Sequence, residues 1–288
     1  MVKLFMDSDE ELWYDKAEAL GYTIISMPYV VEGDVIDYFC GKDYNCKEFI
    51  DKIRHGVMPT TCALNAQDYI NYFEPVFAAG DDIFYIHCSS QLTGSFNYME
   101  IALNELKEKY PERKFYSVDT LSISVGSALL VYEVGKLAQT GASVEQLVQF
   151  AEENKQKCRC EFTVADLNHL KRGGRLSSVS AFVGTILDIK PIIKISTEGK
   201  LDKLMQVKGR KKSLLTLVDL YKTHCDFGAN KPLFILHADC ENDVEFIKNK
   251  ILEINPKQEI FVQPVGPTVG AHCGPDTVGI AYWGSSRN

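Results

Sequence analysis

The sequence has no apolar run that approaches the ~18 to 20 residues of a membrane-spanning helix. Its opening residues, MVKLFMDSDEEL, soon turn acidic, unlike a secretory signal. Positive charge is scarce as well, because 31 Lys and Arg face 39 Asp and Glu, for a net charge of −8. Such a field repels nucleic acid and anionic lipid surfaces. We therefore expect a cytoplasmic protein that neither binds nucleic acid nor inserts stably into a membrane.

Common nucleotide, metal and disulfide patterns are missing too. Neither G-x-x-x-x-G-K-(S/T) nor a strand-associated G-x-G-x-x-G occurs, which argues against a nucleotide site. The nine cysteines include no C-x-x-C pair, and their odd number in a long chain suits reduced thiols better than a disulfide framework. We expect no metal and no cofactor.

What the sequence does contain, over its first half, is an alternation of β-rich runs and helical patterns. Strands are predicted at 2–6, 22–26, 83–88 and 115–119, and helices at 10–20, 47–55, 66–79, 96–109 and 122–139. Pro75 should kink or end the third helix. Alternating strands and helices favour a parallel sheet covered on both faces. We assign residues 1–160 to this N-terminal α/β domain.

The second half has a different order of elements. A helix at 143–156, with a capping box between Ser143 and Gln146, joins the halves. Strands are predicted at 161–165, 191–195, 201–207, 233–238, 258–263 and 278–283, and helices at 178–187, 213–222 and 242–254. The turn at 196–199 favours an antiparallel hairpin. The predicted fold is α/β with two domains, in which residues 161–288 form a mixed or antiparallel sheet with helices.

Two hydroxyl-rich loops that precede helices are candidates for anion binding. In Cys88-Ser-Ser-Gln-Leu-Thr-Gly-Ser95, Thr93 and Ser95 add O–H donors to the free N–H groups of a helix start, and Gly94 permits close approach. Thr60-Thr-Cys-Ala-Leu-Asn65 offers the same chemistry. If both loops lie at the carboxyl edge of the parallel sheet, their donors converge. The alternative is that the hydroxyls only form turns and an N-cap.

Basic residues and a histidine in the second half are further candidates. Leu170-Lys-Arg-Gly-Gly-Arg175 places three cations around a glycine pair, and His272-Cys-Gly-Pro-Asp-Thr277 puts an imidazole in a turn before the last strand. A solvated turn and a structural histidine are the alternatives. Lys208-Gly-Arg-Lys-Lys212, the only dense basic run, is either a solvated turn or a docking surface for an acidic partner.

A cysteine- or serine-dependent acyl hydrolase or transferase, acting on a small lipid ester, is the competing hypothesis. Cys62 and Cys88 are candidate nucleophiles, with His87 or His272 as the base. No G-x-S-x-G or related signature supports this reaction.

The order of these segments resembles the DegV family of fatty-acid-binding proteins. In the first half, the family's opening D-S-(S/T) motif is matched by Asp7-Ser-Asp9, its T-S pair by Thr61-Cys62, and its S-S-x-L-S-G-T loop by Ser89-Ser-Gln-Leu-Thr-Gly-Ser95. In the second half, its L-x-x-L-x-x-G-G-R stretch is matched by Leu167-Asn-His-Leu-Lys-Arg-Gly-Gly-Arg175 and its I-K-P stretch by Ile189-Lys-Pro-Ile192. Its G-R-x-K motif is matched by Gly209-Arg-Lys-Lys212 and its H-x-G-P-G-T motif by His272-Cys-Gly-Pro-Asp-Thr277. The resemblance spans nearly the whole chain.

This resemblance implies a non-catalytic protein that binds one long-chain fatty acid between its domains. It also implies that the carboxylate is presented to an ATP-binding fatty acid kinase subunit, which makes the acyl phosphate. The implied carboxylate contacts are Thr61, Cys62, Thr93, Gly94, Ser95, Arg175 and His272. For the acyl chain we select Phe182, Ile186, Ile189 and Ile192, with plain core as the alternative, and for kinase docking Arg210 and Lys211.

Five positions depart from the family pattern. Cys62 replaces a serine and donates a weaker hydrogen bond. Asp9 brings an extra acid near the site, and Asp276 replaces a glycine, which puts a left-handed backbone there in doubt. Thr93 and Ser95 exchange the family's serine and threonine and keep both hydroxyls. Ligand affinity or preference can therefore differ from the family norm.

Overall fold

The computed structural model describes residues 1–175 and 188–287. In chain order the strands are β1 (Val2–Asp7), β2 (Tyr22–Ile25), β3 (Tyr29–Val31), β4 (Asp34–Ile36), β5 (Thr60–Thr61), β6 (Asp82–His87), β7 (Phe115–Asp119), β8 (Cys158–Thr163), β9 (Ile189–Ile195), β10 (Leu201–Lys208), β11 (Leu233–His237), β12 (Ile260–Pro264) and β13 (Val278–Trp283). The α-helices are α1 (Tyr14–Ala19), α2 (Cys46–Arg54), α3 (Ala66–Ala78), α4 (Ser95–Lys109), α5 (Val125–Gln139), α6 (Val144–Asn154), α7 (Asn168–Arg172), α8 (Arg210–His224), α9 (Glu241–Ile254) and α10 (Pro267–Cys273). The predicted helix at 178–187 lies outside the described residues.

The first sheet has the strand order β2-β1-β6-β7 and is parallel throughout. Strand β6 is buried along almost its whole length, as expected for a parallel strand between two helical layers. Helices α3 and α4 cover one face, where Phe73, Tyr85 and Leu103 share one apolar cluster. The predicted parallel sheet is confirmed.

The second sheet has the order β10-β9-β8-β13-β11-β12 and is antiparallel except between β11 and β12. The predicted hairpin joins β9 to β10, where Gly199 takes a positive φ of 82°. The tip of this hairpin contacts the loop that follows β6 of the first sheet, where Ser89 Oγ donates to the Gly199 carbonyl at 2.8 Å. The predicted mixed sheet is confirmed. The proposed domain boundary at 160 falls within β8, and the division at that residue stays a prediction.

Three apolar clusters define the layers of the molecule. The largest runs from the first sheet through α5 to the inner face of the second sheet, and contains Phe84, Leu129 and Phe234. Helices α8 and α9 cover the outer face of the second sheet through residues such as Leu217 and Ile247. Within the described ranges, no helix is both long and apolar enough to cross a membrane.

Local signals explain where several helices begin and end. The predicted capping box of α6 is present, because Gln146 N donates to Ser143 Oγ at 3.3 Å and Ser143 N donates to Gln146 Oε1 at 2.8 Å. Helix α3 continues past Pro75 and ends at Ala78. The predicted helix at 10–20 is shorter than expected: a 3-10 turn at Ser8–Glu10 comes first, and α1 begins only at Tyr14.

A small antiparallel sheet, with the order β4-β3-β5, was not predicted from the sequence. Its strands have two or three residues each, too few for an alternating pattern to stand out. This sheet carries Thr61, which pairs with Tyr29. Thr61 therefore lies on a strand rather than in a loop.

Candidate ligand-binding site

A cavity lies where the two halves of the molecule meet. It has an empty volume of about 1060 Å³, including space open to solvent, a size that suits a small-molecule ligand. Apolar side chains form much of its wall among the described residues, and they are Met27, Leu92, Ile123, Val125, Phe162, Leu170, Ile195, Leu201, Leu236 and Val269. Four of these belong to strands of the second sheet, so this sheet supplies the apolar floor.

One region of the cavity wall is polar, and it contains all seven residues that were selected as carboxylate contacts. In the first loop, Thr93 Oγ1 and Ser95 Oγ lie 3.0 Å apart and share a hydrogen bond. Ser95 Oγ also accepts from the backbone N–H of Leu64 at 3.3 Å, which ties the two hydroxyl-rich loops together. The loops converge on one site, as the sequence predicted.

His272 and Thr61 form a second polar pair. His272 Nε2 lies 3.1 Å from Thr61 Oγ1. Burial and, to a smaller extent, the nearby Arg175 charge lower the pKa of His272 to about 4, so the imidazole is neutral at pH 7. The other face of the ring rests on Gly173, where a Cβ would stand 2.1 Å from Nδ1. The histidine was predicted in a turn, but it occupies the last turn of α10, with the turn directly after it.

Arg175 is the only lysine or arginine among the described residues that line the cavity. Its guanidinium donates to the Gly173 carbonyl at 2.5 Å and, more weakly, to the Leu92 carbonyl at 3.4 Å. Lys171 and Arg172, from the same basic cluster, are exposed. The glycine pair after α7 thus turns one of the three cations inward, and a positive φ of 67° at Gly174 makes this reversal possible.

The residues selected for the acyl chain fit the structure less well. Phe182 and Ile186 lie outside the described residues. Ile192 belongs to the cluster on the outer face of the second sheet, and Ile189 does not line the cavity either. Strand alternation explains the correction for Ile192, because it lies an odd number of positions from Ile195, which faces the cavity. Ile189 shares the face of Ile195 but stands at the far end of β9, away from the cavity lining. The hairpin turn at 196–199 was the sequence signal that could have set this register.

The residues selected for docking differ from each other. Arg210 donates to Asp243 at 2.8 Å and to the Asp276 carbonyl at 2.6 Å, so it fastens the start of α8 to its neighbours. Lys211 is exposed. Asp276 itself has a left-handed φ of 56°, which resolves the doubt about this position, and its carboxylate accepts from Arg54 at 2.9 Å.

The thiols near the cavity lack the environment of a nucleophile. Burial raises the pKa of both Cys62 and Cys88. Cys62 Sγ points to the Pro28 carbonyl at 3.6 Å, and the imidazole of His272 pairs with Thr61. Among the described residues, no histidine forms a hydrogen bond with either thiol. The structure therefore gives no support to the hydrolase hypothesis.

A group of acidic residues lies behind the polar region. Ligand atoms of Asp7, Asp9 and Cys88 approach within 4.8 Å of one another. Asp7 already accepts from the N–H groups of Cys88 at 2.9 Å and Asp9 at 3.0 Å, and from the Tyr85 hydroxyl at 3.3 Å. Both Asp7 oxygens are thus engaged by hydrogen-bond donors, and this arrangement explains the group without a metal ion.

Two facing sheets with a cavity between them, apolar along one side and polar at one end, define a two-lobed α/β binding protein. The chain belongs to the DegV family, whose model, described as one of uncharacterised proteins, matches residues 1–284. A DegV domain-containing protein of Clostridium perfringens is 36% identical over 241 residues, which cover 84% of this chain and 83% of the relative. The resemblance found in the sequence is confirmed.

Two solved structures have the same fold. A DegV family protein from Thermus thermophilus, described as fatty-acid-binding, superimposes with a TM-score of 0.84 at 25% identity and covers 98% of this chain and 99% of its own. A stearic-acid-binding protein from Eubacterium ventriosum has a TM-score of 0.86 at 22% identity, with 98% of each chain covered. At 22% identity, the similarity to the Eubacterium ventriosum structure shows a shared fold and nothing more.

Proposed function

We propose that this protein binds one long-chain fatty acid in the cavity between its sheets and presents the carboxylate to an ATP-binding fatty acid kinase subunit. The observation that carries the proposal is the cavity itself, which combines a largely apolar lining with the polar pairs Thr93–Ser95 and Thr61–His272. The description of the Thermus thermophilus relative as fatty-acid-binding supports the ligand class. The nine free cysteines support a reducing compartment, the cytoplasm.

The apolar wall can supply the affinity. Burial of about fourteen methylenes of a sixteen-carbon tail stabilises the complex by roughly 11 kcal/mol before the costs of ordering and association are subtracted. A tail of this kind would lie along Phe162, Leu201 and Leu236, on the inner face of the second sheet.

The polar end would satisfy the carboxylate, which is costly to bury without donors. Thr61 and Thr93 offer hydroxyl groups, and the backbone at Gly94 is exposed to the cavity. Arg175 would balance the negative charge, and neutral His272 would orient the Thr61 hydroxyl. In this arrangement no group of the protein needs to react with the ligand.

The site assignment can be tested by titration of delipidated protein with radiolabelled palmitate. Thr93→Val keeps the shape of the side chain and removes its hydroxyl, so we expect affinity to fall about tenfold. Thr223→Val is the matched control, because among the described residues the hydroxyl of this exposed threonine donates only within α8, to the Asp219 carbonyl. Equal affinity for the Thr93 variant and the wild type would contradict the assignment.

Presentation to a kinase needs a separate test, since lipid binding alone does not require it. We propose Lys211 as a docking residue, and not Arg210, because reversal of Arg210 would break its ion pair with Asp243. Lys211→Glu should slow acyl-phosphate formation by a purified kinase subunit with ATP while palmitate affinity stays unchanged. Lys222→Glu, an exposed change on the same helix, is the control. An unchanged rate in the Lys211 variant would exclude this surface.

A further inference from the structure

One carboxyl group on the cavity wall has no explanation in the hydrogen-bond network described so far. Asp9, in the 3-10 turn after β1, lines the cavity and is only 6% exposed. Its Oδ1 atom is buried and has no hydrogen-bond partner among the described residues. A buried carboxylate without donors is strongly unfavourable, so this group either holds a proton or waits for a partner from the ligand.

The neighbouring acid decides which group holds the proton. The oxygens of Asp7 and Asp9 lie within 4.8 Å of each other, and two carboxylates at that distance rarely both ionise. Asp7 accepts three hydrogen bonds, which stabilise its anion, whereas Oδ1 of Asp9 accepts none from the described residues. The proton therefore belongs on Asp9.

Other groups around Asp9 act in the same direction. Burial raises the pKa of Asp9 well above its usual range and the Asp7 and Glu11 charges raise it further, whereas the Thr268 side chain and the Arg175 charge partly oppose them. The adjacent Thr268 hydroxyl donates to the Met27 carbonyl at 3.2 Å. Other titratable groups that face this region are Glu10, Cys40, Tyr69, Cys88 and His272.

We propose that Asp9 is a neutral carboxylic acid in the free protein and donates its O–H to the carboxylate of the bound fatty acid. The inference rests on the proposed function and adds a specificity residue to it. An O–H donor to an anionic oxygen forms a short, strong hydrogen bond. The proton stays on Asp9 and no covalent bond changes. The acid would favour a carboxylate over an ester or amide, whose oxygens accept less strongly.

Two substitutions at Asp9 distinguish a neutral Asp9 from an ionised one in the free protein. With palmitate as the probe at pH 7, Asp9→Asn keeps an N–H donor and should bind within a few-fold of the wild type. Asp9→Ala removes the donor and should weaken binding about tenfold or more. If Asp9 were ionised in the free protein, its charge would repel the ligand, and both substitutions would strengthen binding.

Infrared difference spectra of the ligand-free protein give a readout that does not depend on affinity. At pH 7, wild type minus Asp9→Asn should show the C=O band of a protonated carboxylic acid, and the absence of that band would overturn the inference. If the wild type binds palmitate and Asp9→Ala binds it equally well or more tightly, the role of Asp9 is overturned while the proposed fatty acid binding stands. A wild-type protein that binds no palmitate at any pH would overturn the proposed function, and this inference with it.

Discussion

The contact between Gly173 and His272 allows a sharp test of the polar end of the cavity. A Cβ at residue 173 would lie 2.1 Å from His272 Nδ1 and 3.0 Å from Cε1, so Gly173→Ala cannot be accommodated with the ring in place. The imidazole must move, and its 3.1 Å contact with Thr61 Oγ1 will lengthen. The hydroxyl that we assign to the carboxylate then loses its orienting partner.

The size of the effect follows from the one hydrogen bond that is lost. A net contribution of about 0.5–1.5 kcal/mol corresponds to roughly two- to tenfold weaker binding of palmitate, measured by titration of delipidated protein. Gly141→Ala is the matched control, because among the described residues no atom lies within 4 Å of a Cβ built at this position, which does not line the cavity. Its positive φ of 84° should cost about 1–2 kcal/mol of stability without moving His272. If the Gly173 variant folds and binds palmitate as the wild type does, the imidazole has no part in the site.

Substitutions at three further positions test single features. Burial raises the pKa of Glu11 to about 7 from an ordinary 4.5, so the free energy of unfolding should fall by on the order of 3 kcal/mol as the pH rises from about 4 to 7. In urea titrations, the free energy of unfolding of Glu11→Gln should depend less on pH than that of the wild type. The same pH dependence in both proteins would refute this. Cys62→Ser should tighten palmitate binding roughly two- to threefold, because a hydroxyl donates better than a thiol; weaker binding would count against Cys62 as a donor. Asp276→Ala should lower the free energy of unfolding by about 1–2 kcal/mol through left-handed strain, whereas Asp276→Gly should stay within about 1 kcal/mol of the wild type; equal losses in chemical denaturation would show that the Arg54 pair dominates.

The sequence predicted both large sheets because their strands are apolar runs bounded by turn signals. It also predicted that the two hydroxyl-rich loops converge on one cavity, while their role in carboxylate binding stays a prediction. The small sheet that carries Thr61 was not predicted, because its strands are too short to show an alternation of apolar and polar residues. Helix α10 escaped because it has seven residues and starts at Pro267.

The apolar wall was predicted least well, and the reason is geometric. Apolar composition marks a residue as buried, but it does not say which face of a strand is buried against what. Ile192 and Ile195 are equally apolar, yet the pairing of β9 with β10 and β8 sends them to opposite faces. Asp9 was noticed as an extra acid, whereas its isolation from donors is visible only when Asp7, Tyr85 and Cys88 are brought together by folding.

The hairpin tip that rests on Ser89, and the core cluster that runs through both sheets, bear on how the chain matures during translation. The ribosome completes the first sheet long before Gly199 and Phe234 emerge. Until then the inner face of that sheet has nothing to cover it, a state that invites chaperones or aggregation. For the same reason, calorimetry of the finished protein should record one heat-absorption peak for both halves, and excised halves should precipitate.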